Sequence, residues 1–271
     1  KMSGAGRFIK DIGRRGEGPG DLFTPLYMKI KDDKLFVVDS YALSTFSLDG
    51  AFIRKFRIFN SCDNFDLFRD KIVTMEVTKD HLFHIYSYDG KRELSFGKKY
   101  SIDFSKFKGF GERFVDRILH LGKVICDQDH IYFLSFTFGD VFVYNDKGEL
   151  IKKGKLQGLN EDLIKKNIEY FFVKGAKIDT KKGAVLSAYG AILDCAVQDN
   201  LLYTLNSDDI IFVYDKTDFK LVKKYAFDKV TGGRIFSSFL LYPLTVGDDK
   251  FFYLSLEGPE DFFIGVFKIK K

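Results

Sequence analysis

Apolar and polar residues alternate near the start of this chain in four short runs, at residues 26–30, 35–39, 45–48 and 51–56. A period of two residues is the pattern of a β-strand with one buried face. Polar turn residues separate the runs, and Asp49-Gly50, between the last two, is a strong hairpin signal. The pattern therefore predicts a four-stranded antiparallel meander.

The meander recurs along the rest of the chain. A second Asp-Gly turn, Asp89-Gly90, belongs to a copy that starts at Lys71, and further copies are predicted over residues 119–153, 191–227 and 239–270. Repeats of about 40 residues that contain four short strands are typical of β-propeller blades. We therefore predict an all-β fold, a β-propeller with five clear sequence repeats in a single domain over residues 1–271.

Two spacers, residues 98–117 and 155–189, interrupt the repeats. The second predicts a short helix, because it contains an N-cap residue, acidic residues for the first turn and apolar residues at helical spacing. Strand-like runs at residues 175–179 and 183–187 fit part of a sixth, irregular blade. The helix signals are Asn160, Glu161, Asp162, Ile164, Ile168 and Phe171.

The first strand-like run, residues 7–12, has no earlier strand with which to pair, and a lone strand is unstable in water. The last repeat has the complementary defect, because the chain ends before its fourth strand. We therefore predict that the N-terminal strand pairs with residues 262–269 and closes the ring of blades. An open ring would leave two exposed sheet edges.

Composition supports this fold and limits the function. Of the 271 residues, 45% are apolar and 17% aromatic, with no tryptophan, which favours sheets and supplies a large core. The net charge of +5 comes from interspersed basic and acidic residues, so the basic footprint of a nucleic-acid-binding protein is lacking and no nucleic-acid partner is predicted. No run of 18 apolar residues occurs, so no transmembrane segment is predicted.

Three residues at two corners are candidate ligand-binding residues: Arg14, Arg15 and Asp39. The two arginines precede a glycine-rich corner at residues 16–20, which lacks the GxxxxGK[ST] pattern of a phosphate loop and is predicted to be a tight turn. The arginines could present charge at a face of the ring. Asp39 follows a buried strand, where it could contact a ligand or accept backbone N–H groups in a turn.

Three further residues, Glu76, Asn206 and Asp208, occupy comparable strand-end or loop positions in other repeats. Oxygen ligands that converge from several blades would form a calcium site. Apart from this Ca²⁺ alternative, no cofactor is predicted.

Motifs for catalysis and for other metals are lacking. The chain has no HExxH or GxSxG sequence, and its three cysteines are far apart, which excludes a CxxC metal ribbon. His81 and His84 are three residues apart in a strand-like run, so they are predicted to lie on opposite faces and not to share a metal. No catalytic residue is assigned.

Residues 13–21, GRRGEGPGD, preceded by Phe8-Ile9, resemble the iG-x-x-G-x-GPGE corner of six-bladed propellers related to the NHL and TolB-like propellers, with Asp21 in place of the usual glutamate. Residues 35–53 are similar to an NHL-type blade. The resemblance is close over residues 1–56 and general afterwards. It implies six blades and, because many of these proteins are exported lipoproteins, a periplasmic or cell-surface location with a lipid anchor on a removed or absent N-terminus.

These observations predict a non-catalytic binding or scaffolding propeller at the bacterial cell envelope, which presents a ring face to a protein or glycan partner. The alternative is a calcium-dependent hydrolase, because some six-bladed propellers of the lactonase type use carboxylates that converge on the central channel. In that alternative Glu76, Asn206 and Asp208 would supply the ligands.

Overall fold

A computed structural model of the protein shows that it is mostly β-structure, with two α-helices among the described residues. The chain divides into two compact units, Lys1–Phe96 and Gly97–Lys271. The all-β prediction is confirmed, and the prediction of a single domain stays a prediction. The structure describes residues 9–39, 42–58, 62, 64–108, 110–174, 176–177, 191–206, 210–226, 245–246, 251–257 and 262–268.

The first unit contains two antiparallel four-stranded meanders with the strand order of propeller blades. Its strands are β1 (Arg14–Arg15), β2 (Asp21–Leu22), β3 (Pro25–Lys31), β4 (Lys34–Asp39), β5 (Ala42–Ser47), β6 (Phe52–Arg57), β7 (Asn64–Phe68), β8 (Lys71–Met75), β9 (Phe83–Ser87) and β10 (Arg92–Phe96). Strands β3–β6 form blade 1, strands β7–β10 form blade 2, and β1 pairs with β2 in parallel.

The second unit contains two more complete blades. Its elements are β11 (Phe107–Lys108), α1 (Glu112–Leu119), β12 (Gly122–Cys126), β13 (Ile131–Ser135), β14 (Asp140–Tyr144), β15 (Leu150–Lys155), α2 (Glu161–Ile168), β16 (Ala176–Lys177), β17 (Ile192–Gln198), β18 (Leu201–Asn206), β19 (Ile210–Asp215), β20 (Leu221–Ala226), β21 (Thr245–Val246), β22 (Phe251–Glu257) and β23 (Phe262–Lys268). Strands β12–β15 form blade 3, β17–β20 form blade 4, and β21–β23 form a three-stranded sheet. The described residues thus contain four complete blades, and the count of six stays a prediction.

All four blades share a bulge in the fourth strand, directly after the turn from the third strand. In each, one fourth-strand residue has no partner in the register, which locally increases the twist. The turns at Asp49-Gly50 and Asp89-Gly90 are the predicted hairpins, and both glycines adopt the positive φ that such turns require. The bulge residues are Ile53, Glu93, Ile151 and Val222.

The N-terminal segment lies against the hairpin of blade 1. Residues 9–12 form no strand, although the sequence predicts one over residues 7–12. The Lys10 ammonium donates to the backbone carbonyl of Asp49, and Ile12 lies beside Gly50, where an added Cβ would come within 3.2 Å of its Cγ1.

Strand β6 makes two similar contacts with the hairpin of blade 2. The Arg54 guanidinium donates to the backbone carbonyl of Tyr88 at 3.0 Å, and Phe56 lies beside Gly90. Residues 9–12 therefore occupy, next to blade 1, the place that a fourth strand occupies next to the following blade. The pairing of this segment with residues 262–269 and the closure of the ring stay predictions.

An ion pair joins the first strands of neighbouring blades in each unit. Lys29 on β3 lies 3.1 Å from the Asp66 carboxylate on β7, and Lys123 on β12 lies 2.6 Å from the Asp194 carboxylate on β17. Each aspartate also accepts the backbone N–H of the residue that follows it. The pairs satisfy carboxylates that the strands bury, as buried charges require.

The predicted spacers, residues 98–117 and 155–189, correspond in the structure to residues 97–121 and 156–177 between the blades. We call these two segments the insert, because β11 from the first pairs in parallel with β16 from the second. Helix α2 confirms the sequence prediction, and its predicted cap, Asn160, accepts the N–H of Leu163 at 3.0 Å. The sequence did not predict α1, whose N-cap is Gly111 without a side-chain cap. Within the described ranges no helix has the length and apolar character needed to cross a membrane.

Candidate functional site

The glycine-rich corner is a tight turn built around Asp21. The Arg14 Nε lies 2.6 Å from one Asp21 carboxylate oxygen, and the Gly18 N–H donates to the other at 3.1 Å. An added Cβ on Gly16 would come within 2.4 Å of this carboxylate, so the corner requires a glycine there. The hydrogen bond from Arg14 lowers the pKa of Asp21. Arg14 therefore holds the corner, and Arg15 beside it is exposed.

Asp39, at the end of β4, binds the backbone that leads into β3. Its two carboxylate oxygens accept the N–H groups of Phe23 at 2.7 Å and Thr24 at 2.5 Å, and the Lys55 ammonium lies 3.8 Å away. This arrangement is the turn alternative considered from the sequence. A ligand role for Arg14, Arg15 or Asp39 stays a prediction.

Glu76 and Asn206, two of the predicted calcium ligands, are engaged inside their own blades. The Glu76 carboxylate accepts the hydroxyls of Thr74 at 2.5 Å and Tyr86 at 3.0 Å. The Asn206 side-chain oxygen accepts the hydroxyl of Thr204 at 3.0 Å. Asp208 lies outside the described residues. Within those residues no three histidine, cysteine or acidic side chains form a metal-binding group, and convergence of the three predicted ligands stays untested.

His84 is buried in blade 2 with one ring nitrogen unused. Its Nδ1 lies 2.8 Å from the Ser95 hydroxyl on the neighbouring strand, and its Nε2 has no hydrogen-bond partner. Burial, helped by the charge of Arg92, lowers the pKa of His84 to about 4. The ring is therefore neutral at physiological pH and packs as part of the blade.

His120, directly after α1, joins the start of the insert to this helix through both ring nitrogens. Its Nε2 accepts the N–H of Tyr100 at 2.7 Å, and its Nδ1 donates to the backbone carbonyl of Asp116 at 2.8 Å. The same nitrogen lies 3.1 Å from the Asp116 carboxylate, which Lys99 also contacts. Burial alone would raise the pKa of Asp116, but the hydrogen bonds from His120 and Lys99 outweigh it, so the pKa is lowered. With both nitrogens engaged, His120 is a structural residue.

The insert covers one end of blade 3. The amide of Asn167 on α2 donates to the carbonyl of Thr137 at 2.9 Å, and the Thr137 hydroxyl donates to the carbonyl of Ile118 on α1 at 3.2 Å. Thr137 lies in the turn between β13 and β14, which is the end of the blade at which Asp39 and Asn206 lie in theirs. In propellers this end carries the loops that most often bind ligands.

Aromatic rings dominate the core of the insert. The buried rings of Phe107, Phe138 and Phe171 pack together with the aliphatic face of α1. Neighbouring rings extend this core toward the surface, because Phe110 stacks on Phe114 with centroids 6.2 Å apart and Phe138 contacts Phe172 at 5.7 Å. The cluster also includes Tyr100, Ile102, Phe104, Val115, Ile118, Leu119 and Tyr170.

The outer surface of the insert is apolar and basic. Four large apolar side chains are exposed there: Phe114 on α1 (51%), Ile168 at the end of α2, and Phe172 and Val173 (63%) in the following turn. The two segments contain ten basic and six acidic residues, so the insert carries most of the net charge of the chain. This surface was not predicted from the sequence, although the density of phenylalanine and tyrosine in the two spacers is a usable signal.

No protein-family model matches this chain, and no curated protein matches it in sequence. Solved structures do share its fold. One is a protein from Bacteroides fragilis NCTC 9343 that is named as exported; it has 13% identity and a TM-score of 0.54 over 94% of this chain and 72% of that chain. Another is a protein of unknown function from Desulfotomaculum acetoxidans, with 10% identity and a TM-score of 0.52 over 88% of this chain and 67% of that one. At these identities the likeness concerns the fold alone.

Proposed function

We propose that this chain is a non-catalytic binding or scaffolding module of the bacterial cell envelope, and that the insert supplies the surface for a protein partner. The observation that carries the proposal is the exposure of Phe114 on the first segment of the insert and of Ile168, Phe172 and Val173 on the second. Exposed apolar patches mark interaction surfaces, because leaving large apolar side chains in water is unfavourable. The well-packed blades beneath provide a rigid support.

A protein fits this surface better than a glycan. Sugars are bound by stacking on flat aromatic faces, together with polar side chains that pair with their hydroxyls. Two of the four exposed residues, Ile168 and Val173, are aliphatic and offer no ring face. Aromatic anchors mixed with aliphatic side chains are typical of the buried centre of a protein interface.

The charge of the insert favours an acidic partner. Basic side chains on its segments outnumber acidic ones by ten to six. An excess of positive charge attracts a negative surface and accelerates association at low salt. The basic residues are Lys98, Lys99, Lys106, Lys108, Arg113, Arg117, Lys165, Lys166, Lys174 and Lys177.

The envelope location rests on two supports. The opening residues 13–21 resemble exported propeller lipoproteins. A structure of the same fold belongs to a Bacteroides fragilis protein that is named as exported. Six blades and closure of the ring by the N-terminal strand are part of the same proposal.

The test is affinity capture with a matched pair of variants. Phe114→Ala with Phe172→Ala removes two exposed rings from the insert, whereas Ile151→Ala with Val222→Ala removes exposed apolar side chains from the bulges of blades 3 and 4. Envelope extract of the source organism is passed over each protein at low and high salt. The captured protein is identified and its affinity is measured with purified components.

We expect to capture an acidic protein that binds the wild type and the Ile151→Ala/Val222→Ala variant with equal affinity. It should bind the Phe114→Ala/Phe172→Ala variant about tenfold more weakly or worse, since aromatic residues contribute most of the binding energy of an interface. Equal binding by all three proteins would refute the insert as the surface. Binding of purified envelope glycans but of no protein would replace the protein partner with a glycan.

A further inference from the structure

A second feature, remote from the insert, is a pocket of about 50 Å³ at the contact between blades 1 and 2. A buried water needs roughly 10–15 Å³ of such space, so the pocket has room for several waters or for one small polar group. Its lining combines aromatic, cationic and hydroxyl side chains. The lining residues are Lys34, Phe36, Thr45, Ile53, Arg54 and Tyr88.

The three strands of blade 1 place a row of side chains across this pocket. Thr45 on β5 lies opposite Phe36 on β4 and opposite Arg54 on β6. Tyr88, from the hairpin of blade 2, closes the pocket, because its ring contacts Phe36 at 5.1 Å between centroids. The bulge at Ile53 has equivalents in the other three complete blades, and in blade 1 the bulge residue is one of those that line the pocket.

The most unusual residue of the pocket is Thr45, because its hydroxyl is buried without a hydrogen-bond partner. The residue is 3% exposed, and its Oγ1 makes no hydrogen bond in the structure. Buried hydroxyls are almost always paired, so an unpaired one that lines a pocket calls for a reason.

The other blades show that packing does not require this hydroxyl. In each blade, the fourth-strand residue directly after the bulge pairs with one residue of the third strand. That third-strand residue is Thr45 in blade 1, Ile85 in blade 2, Val143 in blade 3 and Val213 in blade 4. In three blades the position is filled by a β-branched aliphatic side chain, and valine has nearly the shape of threonine. Blade 1 therefore introduces a polar atom where the fold is satisfied by an apolar one.

The charged residues that line the pocket indicate the charge of the ligand that the hydroxyl would bind. Lys34 and Arg54 line the same small space, and the Lys34 ammonium lies 5.9 Å from the centroid of the Tyr88 ring. The Arg54 guanidinium also donates to the Tyr88 carbonyl at 3.0 Å, which holds it at this contact. A hydroxyl, an ammonium and a guanidinium on residues that line one pocket offer a donor set for an oxyanion, since hydrogen bonds to charged acceptors are the strong ones.

We propose that the pocket binds a small oxyanion, the carboxylate or phosphate group of a small molecule, with the Thr45 hydroxyl as donor and Lys34 and Arg54 as the balancing cations. The aromatic walls formed by Phe36 and Tyr88 shield the anion from water and strengthen these contacts. This site is independent of the insert and of its partner.

The test follows backbone amide NMR signals during titration with sodium phosphate and sodium acetate at constant ionic strength, with chloride as the reference anion. We expect saturable changes in the amide chemical shifts of Thr45 and Arg54 with at least one of the two oxyanions. The oxyanion that binds with the higher affinity shows whether the ligand group is a phosphate or a carboxylate. Thr45→Ser keeps the hydroxyl and retains binding. Thr45→Val, which installs the side chain of the equivalent blades, weakens binding about tenfold or more, because a hydrogen bond to a charged group is lost.

A charge-matched pair of variants separates this site from general attraction of anions. Arg54→Gln removes a pocket cation, whereas Arg57→Gln removes a cation from the same strand outside the pocket lining. Loss of binding only in Arg54→Gln supports the proposal. Equal weakening by both variants, unchanged affinity in Thr45→Val, or the absence of saturable shifts with both oxyanions would each overturn it.

Discussion

Replacement of His84 by asparagine should remove a pH dependence from the stability of the protein. Burial lowers the pKa of this side chain from 6.5 to about 4 in the folded state. Between these values the unfolded chain binds a proton that the native blade does not, so the free energy of unfolding falls as the pH is lowered. One pKa unit corresponds to about 1.4 kcal/mol, so the loss amounts to about 3 kcal/mol by pH 4 and about 2 kcal/mol between pH 7 and pH 5.

The assay is urea unfolding at pH 7 and pH 5, followed by tyrosine fluorescence, since the chain has 14 tyrosines and no tryptophan. His84→Asn keeps a polar group near Ser95 but does not titrate, so it should be less stable than the wild type at pH 7 and lose little more at pH 5. His81→Asn, in the turn before the same strand, is the control and should keep the wild-type pH dependence. The carboxyl groups with lowered pKa values, such as Asp116 and Asp127, lose their contribution only below about pH 4. If the wild type and His84→Asn lose the same free energy between pH 7 and pH 5, the reasoning about this buried ring is wrong.

Further predictions concern the pocket, the insert, the metal alternative and the N-terminus. Thr45→Val should raise the free energy of unfolding by about 1 kcal/mol in the same urea assay, because it removes a buried unpaired hydroxyl; a loss of stability would mean that the hydroxyl is satisfied. Asn160→Ala should lower the free energy of unfolding by about 1 kcal/mol, because helix α2 loses its N-cap; an unchanged free energy would argue against that cap. Added Ca²⁺ should leave the melting temperature unchanged, since the Glu76 carboxylate already accepts two hydroxyls; a rise would favour the hydrolase alternative. Deletion of residues 1–13 should abolish cooperative unfolding or cause aggregation through an unpaired sheet edge, and a truncated protein that melts like the full chain would disprove the closure.

Much of the blade architecture could be predicted from local sequence signals. Alternating strands and Asp-Gly turns depend on neighbouring residues, and these predicted the meanders correctly. Strand β7 escaped notice because Asp66 interrupts its apolar pattern, and the ion pair of this carboxylate with Lys29 comes from another blade. Helix α1 was missed because Gly111 provides no capping side chain.

The candidate sites were harder to predict, because they depend on contacts between distant parts of the chain. The insert exists because Phe107 and Ala176, from two separate spacers, meet in parallel strands. The unusual character of Thr45 appears only when the registers of four blades are compared, since threonine in a strand is ordinary in itself. Asp39 was more predictable, because its position after a buried strand allowed a turn role and the structure shows its carboxylate accepting the N–H groups of Phe23 and Thr24.

The most direct test of the binding-module account is hydrogen–deuterium exchange of the protein with and without its captured partner. The account predicts slowed exchange in α1 and in residues 161–174, which carry the exposed Phe114, Ile168 and Phe172, and unchanged exchange on the bulges at Ile151 and Val222. Protection confined to the blades, with the insert exchanging at its free rate, would contradict it.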